Sequence, residues 1–73
     1  TNTEFRILHL LFERRGRTVP REDIMQALWE SDSFIDDNTL TVNVARLRAN
    51  LAEIGLEGLI RTQKGLGYLV DET

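Results

Sequence analysis

An α+β fold of three helices followed by a C-terminal β-hairpin is predicted by three observations. Leu40, Val44, Leu47, Leu51 and Ile54 succeed one another by 4, 3, 4 and 3 residues, a single apolar stripe on a helix. Two shorter segments ahead of them carry helix-starting and helix-stopping residues. Behind them, Leu59-Ile60-Arg61-Thr62-Gln63 and Gly67-Tyr68-Leu69-Val70 read as short strands around the turn Lys64-Gly65-Leu66. At 73 residues the chain is one domain, 1–73, whose core must be economical. It has no cysteine, so disulfides and thiolate metal sites are both excluded and stability must come from packing.

Helix one is expected over 2–15. Thr1 and Glu4 fit a capping box, and Phe5, Ile7, Leu8, Leu11 and Phe12 form the expected buried side. Arg14-Arg15 near the C-terminal dipole and Gly16 mark its end. Arg17-Thr18-Val19 is extended in preference. Pro20 then opens helix two, 20–30, because its missing N–H is unpaired there anyway, and Glu22 and Asp23 suit the positive end of the dipole. Helix two should bury Ile24, Leu28 and part of Met25. Loop 31–36 is polar and turn-prone with Phe34-Ile35 as an apolar island, and Asp37 is the expected N-cap of helix three, 37–54. Gly55-Leu56-Glu57-Gly58 ends that helix, and the hairpin occupies 59–70.

The side of helix three away from the stripe is lean. At about 100° per residue, Asn38, Val42, Ala45, Ala49 and Glu53 lie opposite the buried face, with Thr39, Thr41, Arg46 and Ala52 beside them. Such a face can approach base edges in a major groove: Thr39 and Asn43 can hydrogen-bond, and Val42 can meet a thymine methyl. Arg46 and Arg48, on opposite flanks, could reach the phosphates of the two groove walls. The alternative is an amphipathic helix with alanine chosen for propensity and arginine for solubility. The order of elements favours the first reading: a short helix, a loop, a longer lean helix and a hairpin is the arrangement of a winged helix-turn-helix. Thr62 and Lys64 stand near the tip of the wing. Lys64 as a plain turn residue is the alternative there.

Charge is segregated. Residues 1–37 carry five basic and eight acidic side chains, whereas 38–70 carry four basic and two acidic, so the helix-three and hairpin half is net positive within a chain of net charge −3. An enzyme is disfavoured. His9 is the only histidine and sits among leucines, acidic residues are scattered rather than set at metal-ligand spacing, and Lys64-Gly65-Leu66-Gly67 is too short for a phosphate loop. No cofactor is implied. No apolar run approaches the roughly 20 residues needed to span a bilayer, so no membrane association is expected and the chain reads as cytoplasmic.

Together Thr3-Glu4-Phe5, Arg21-Glu22 with Trp29, Asp36-Asp37-Asn38-Thr39-Leu40, Arg46-Leu47-Arg48 with Leu51, and Lys64-Gly65-Leu66-Gly67-Tyr68 resemble the C-terminal effector domain of OmpR/PhoB-type two-component response regulators. The run 32–44 is similar to the subgroup that answers bacitracin, nisin and other cell-envelope peptides. The resemblance implies a transcription regulator that binds double-stranded promoter DNA as a homodimer on direct-repeat half-sites, after a sensor kinase phosphorylates an upstream receiver domain. It implies recognition-helix contacts at Thr39, Val42, Asn43, Arg46 and Arg48, wing contacts at Thr62, Lys64 and Gly65, and a phosphate donor in the Trp29 indole; Asn38, opposite the buried stripe, joins them as a candidate DNA contact. Loop 31–36 matches the segment that can face RNA polymerase; an ordinary solvated turn is its alternative. The sequence departs from the family at Pro20, where a serine cap is usual, at Asn43, which replaces a common histidine, and at Ala45, which replaces a frequently basic residue. The family's small N-terminal sheet precedes helix one and is missing here, which implies an incomplete chain with one side of helix one exposed. The competing reading is a winged-helix protein-interaction module without DNA binding.

Overall fold

Three helices pack against a small antiparallel sheet: α1 Asn2–Glu13, β1 Val19–Pro20, α2 Arg21–Glu30, α3 Asp37–Glu53, β2 Ile60–Gln63 and β3 Gly67–Val70. The computed structural model describes residues 2–31 and 34–71. The capping reading of Thr1, and Asp32 and Ser33 of the loop, lie outside the described residues.

The core joins every element: Ile7 and Leu11 of α1, Val19 of β1, Ile24 and Leu28 of α2, Leu40, Val44, Leu47 and Leu51 of α3, Ile60 of β2, and Tyr68 and Val70 of β3. Burial of Ile24 and Leu28 with half-burial of Met25 is as the sequence predicts. Helix one is different. Its inward stripe is Glu4, Ile7 and Leu11, at spacings of 3 and 4, while Phe5 is 65% exposed and Phe12 also faces outward. The phase set by Ile7 and Leu11 carries Glu4 inward and leaves the two aromatic rings beside the stripe. The buried Glu4 carboxylate is satisfied in part by Asn50 of α3, whose Nδ2 donates to it at 2.9 Å. Ile54 is likewise not core. It is the C-cap of α3 and 70% exposed, because the chain leaves the helix there through bonds from Gly55 N to Ala52 O (3.1 Å) and Leu56 N to Leu51 O (2.9 Å).

The predicted hairpin is part of a three-stranded sheet ordered β1-β3-β2. Pro20 therefore does two things: it pairs with Gly67 as the end of β1 and caps α2, which begins one residue later than Pro20 at N1 would allow. Opposite it, Gly67 leaves no room for a side chain, since a Cβ there would lie 2.0 Å from the Val19 carbonyl oxygen and 2.8 Å from Pro20 Cα. The β2–β3 turn is closed by Leu66 N donating to Gln63 O at 2.9 Å, with Gly65 at φ 76° in the position where a type II turn demands positive φ.

The N-cap of α3 is Asp36, not Asp37. The Asp36 Oδ1 accepts from Thr39 N at 2.7 Å, and its hydrogen bonds from Thr39, side chain first, hold its carboxyl below the ordinary aspartate range. Asp37 is occupied otherwise. Arg21, the first residue of α2, donates from Nε to Asp37 Oδ1 (3.0 Å), from Nη2 to Asp37 O (2.7 Å) and Thr41 Oγ1 (2.8 Å), and from Nη1 to the Tyr68 hydroxyl (2.7 Å). One guanidinium thus ties the starts of α2 and α3 to β3. The hydrogen bond to Asp37 foremost raises Arg21 above its ordinary value, so it stays cationic.

Three outcomes follow. Gly67→Ala should destabilise the domain by about 1–3 kcal/mol or more in urea unfolding, because the new methyl overlaps β1 backbone; a loss below about 0.5 kcal/mol would place β1 away from β3. Arg21→Ala should cost about 1.5–3 kcal/mol. In a double-mutant cycle with Tyr68→Phe it should show a coupling above about 0.5 kcal/mol; additivity would remove the Arg21–Tyr68 bond from the account. The depressed Asp36 means that its stabilising contribution is complete above the ordinary aspartate pKa and is lost as pH falls through the lower folded value. A carboxyl NMR titration should place Asp36 below the ordinary aspartate value, and Asp36→Asn should keep the cap while removing that acid-side dependence.

Candidate nucleic-acid interface

The outward side of α3 and the adjoining β2–β3 wing form the candidate site. α3 is fixed at its start by Asp36 and Arg21 and along its length by the buried Leu40, Val44, Leu47 and Leu51. Its N-terminus is already occupied by a carboxylate, so the first turn offers an approaching phosphate less than an uncapped helix would. Exposed residues recur along the helix from Asn38 to Glu53.

There the predicted residues divide. Asn38, Val42 and Arg46 are exposed, Val42 at 46%, and lie one turn apart on one side. Thr39 is half-buried. Asn43 is not on the outward face: it is 8% exposed and donates from Nδ2 to Thr39 O at 2.9 Å. It sits about 60° from Leu40 around the helix, close enough to the apolar stripe for packing to draw the amide inward and for the preceding turn to satisfy it. Arg48 is also withdrawn. Half-buried, it donates to Ile60 O from Nε (3.3 Å) and Nη2 (3.2 Å) and to Thr62 Oγ1, with its guanidinium 5.7 Å from the centre of the Tyr68 ring. It fastens α3 to the wing rather than standing free on a flank. Thr62, though exposed, has its hydroxyl engaged by that same arginine.

Arg46 and Lys64 are the contrast. Both are exposed, and among the described residues neither makes a hydrogen bond or an ion pair. Arg61, the other wing cation, is paired with Asp71 at 3.0 Å. Gly65 lies exposed beside Lys64 in the turn. The site that emerges is an exposed α3 strip with one unpaired arginine and a wing tip with one unpaired lysine.

Trp29 stands near the C-terminal end of α2, facing the start of α3. Its ring is 52% exposed and stacks on Phe34 with centroids 4.5 Å apart, and its indole N–H makes no hydrogen bond among the described residues. With Met25, Phe34 and Ile35, and with acidic Glu22, Asp36 and Asp37, it lines a cleft of about 440 Å³ between α2 and the start of α3. The positioning network of Arg21, Asp37, Thr41 and Tyr68 carried no role in the sequence reading. The signal present was a surface-type residue, Arg21, in the first turn of a helix, where a cation opposes the dipole and so needs another reason to be there. Among the described residues there is no group of His, Asp and Glu placed to hold a metal ion, and no helix is long and apolar enough to cross a membrane.

The family described as "Transcriptional regulatory protein, C terminal" matches residues 1–70. The sensory transduction protein BceR of Halalkalibacterium halodurans is 50% identical over 72 residues, covering 99% of this chain and 31% of that protein. The response regulator protein GraR of Staphylococcus aureus is 46% identical over 72 residues, covering 99% of this chain and 32% of that protein. The chain thus spans about a third of the length of these curated relatives. Among solved structures, the C-terminal domain of the nisin resistance regulator NsrR, described as a lantibiotic response regulator, matches with a TM-score of 0.91 and 42% identity over 100% of this chain and 74% of that one. With three helices on a three-stranded sheet and a family match along nearly its whole length, this chain is a member of the transcriptional regulatory protein C-terminal family, the winged-helix effector domain of OmpR/PhoB-type response regulators.

Proposed function

We propose that the chain binds double-stranded promoter DNA, with α3 in the major groove and the β2–β3 turn on the neighbouring backbone or minor groove. The observation that carries this is the pairing pattern of the cations. Arg21, Arg48 and Arg61 are consumed by partners within the domain, while Arg46 on α3 and Lys64 on the wing are left to solvent on two elements that Arg48 holds together. Phosphates on one duplex are the ligands that two such separated, unpaired cations suit. Asn38, Thr39 and Val42 supply the groove-facing part, and Gly65 lets the wing backbone come close. Asn43 and Arg48 act as positioning residues.

With few free cations a single copy binds weakly. The working form is therefore a homodimer on direct-repeat half-sites about one helical turn apart. In the longer protein, a receiver domain phosphorylated by a sensor kinase controls that pairing, in the cytoplasm, in response to cell-envelope peptides such as those named for the relatives. The Trp29–Phe34 cleft, apolar and accessible, is the surface for RNA polymerase, with the free indole N–H of Trp29 at its edge as the expected phosphate donor. The same cleft is what favours the competing reading, a winged helix that binds only protein.

Selection from random duplex DNA followed by footprinting tests the proposal, and paired protected sites are the expected result. The binding constant should fall with salt at a log–log slope of about −2 to −3 per copy, from two or three neutralised phosphates. Arg46→Ala and Lys64→Ala should each weaken binding to all sequences and reduce the slope by about 1, with unchanged melting. Salt-independent capture of a protein, with no duplex retained at low salt, would favour the competing reading.

A further inference from the structure

Two arginines meet at one buried ring. Tyr68 is 6% exposed in β3, the middle strand, where it pairs with Val19 of β1 and with Thr62 of β2. Its hydroxyl accepts from Arg21 at 2.7 Å, and its ring centre lies 5.7 Å from the guanidinium carbon of Arg21 and 5.7 Å from that of Arg48. The two contacts differ in kind. Arg21 also holds a carboxylate, that of Asp37, whereas Arg48 makes no ion pair among the described residues and its hydrogen bonds go to the neutral oxygens of Ile60 and Thr62. A half-buried cation without a counter-ion is drawn to the negative face of an aromatic ring. On the flank of a helix its alternative is solvent or a phosphate.

The side on which Arg48 rests matters at the wing tip. Arg48 donates to Thr62, which lies directly opposite Tyr68, and Lys64 follows two residues later in the turn closed by Leu66 N on Gln63 O. Building on the DNA-binding reading above, we propose that Tyr68 is a positioning residue for that binding: its ring keeps Arg48 turned to β2, and the braced wing carries Lys64 to the duplex that Arg46 grips. The hydroxyl serves α2 and α3 through Arg21. The ring serves the wing through Arg48. One side chain has two separable duties, and neither of them is contact with a nucleotide.

The test uses the duplex that this chain enriches from random DNA, and its readout is the change that Lys64→Ala makes in each of four backgrounds. In the parent, Lys64→Ala should reduce the log–log salt slope by about 1. In Tyr68→Phe, which loses the hydroxyl and keeps the ring, it should do the same. In Tyr68→Leu, which loses both, Lys64→Ala should leave affinity and slope unchanged. The same should hold in Arg48→Lys, which keeps the charge and loses the planar fork. A tyrosine with a structural role alone would lower the melting temperature of Tyr68→Leu and leave the Lys64 effect intact. Where Tyr68→Leu does not melt cooperatively, Tyr68→Phe and Arg48→Lys decide. A Lys64 effect that persists in folded Tyr68→Leu or in Arg48→Lys, or that vanishes in Tyr68→Phe, overturns the inference and leaves DNA binding standing. A duplex bound with no Lys64 effect in the parent overturns it together with the wing contact, and retention of no duplex at low salt overturns the whole DNA-binding reading.

Discussion

The arrangement of the domain depends on one guanidinium. Arg21 is the first residue of α2, where a cation faces the positive end of the helix dipole, and only its four donated bonds to Asp37, Thr41 and Tyr68 make that position favourable. Those bonds fix where α3 starts relative to α2 and where both stand relative to β3. Tyr68 continues the chain of contacts, because Arg48 lies near its ring and fastens α3 to Ile60 and Thr62 of β2. Helix pair and wing are thereby tied together by side-chain hydrogen bonds as well as by the small apolar core. For the proposed docking on the two walls of a groove, that linkage matters more than any single contact, since each contact is worth little if its neighbours can drift.

The same network separates structural from available charge. Counting basic residues in the second half of the chain suggests four candidate phosphate contacts, but three-dimensional pairing removes two of them. Arg48 is taken by backbone and hydroxyl oxygens, Arg61 by Asp71. The remaining Arg46 and Lys64 sit on different elements, so their separation is set by the Arg48–Thr62 connection. Arg48, an expected DNA contact, ties together the two elements that carry the other cations.

Much of the fold was legible because helix periodicity is a strong signal where apolar residues fill it. The stripe from Leu40 to Leu51 and the pair Ile24 and Leu28 are buried as expected. The errors have specific causes. Residue type outweighed phase in α1, where Glu4 occupies a core position that two phenylalanines seemed to claim, and a partner 46 residues away in Asn50 is what makes the carboxylate tolerable. The first strand was missed as a sheet member because two residues, one a proline, carry no periodicity; their place is visible only once Gly67 is seen to admit the backbone of Val19 and Pro20. Asp36 and Asp37 are equivalent to a sequence reading of the cap, and the choice was made at a distance by Arg21. Asn43 lay near the boundary between the two faces, where a few tens of degrees decide whether an amide meets solvent or its own helix.

The apolar cleft gives the last step in weighing one function against the other. A module built only for protein partners has no need to keep cations unpaired on a lean helix, and a module built only for DNA has no need to hold Trp29 and Phe34 stacked and exposed beside acidic side chains. Each feature is costly for a chain of this size, whose core among the described residues is a dozen buried hydrophobic side chains. The two lie on different parts of the helix-turn-helix, with α3 common to both: its outward strip carries Arg46, and its first residues line the cleft. The strip and the cleft adjoin where Asp37 meets Asn38, so a protein seated in the cleft would press on the segment that Asp36 and Arg21 anchor. That arrangement suits the proposed regulator, which would hold DNA and be read by a second macromolecule through neighbouring parts of one helix.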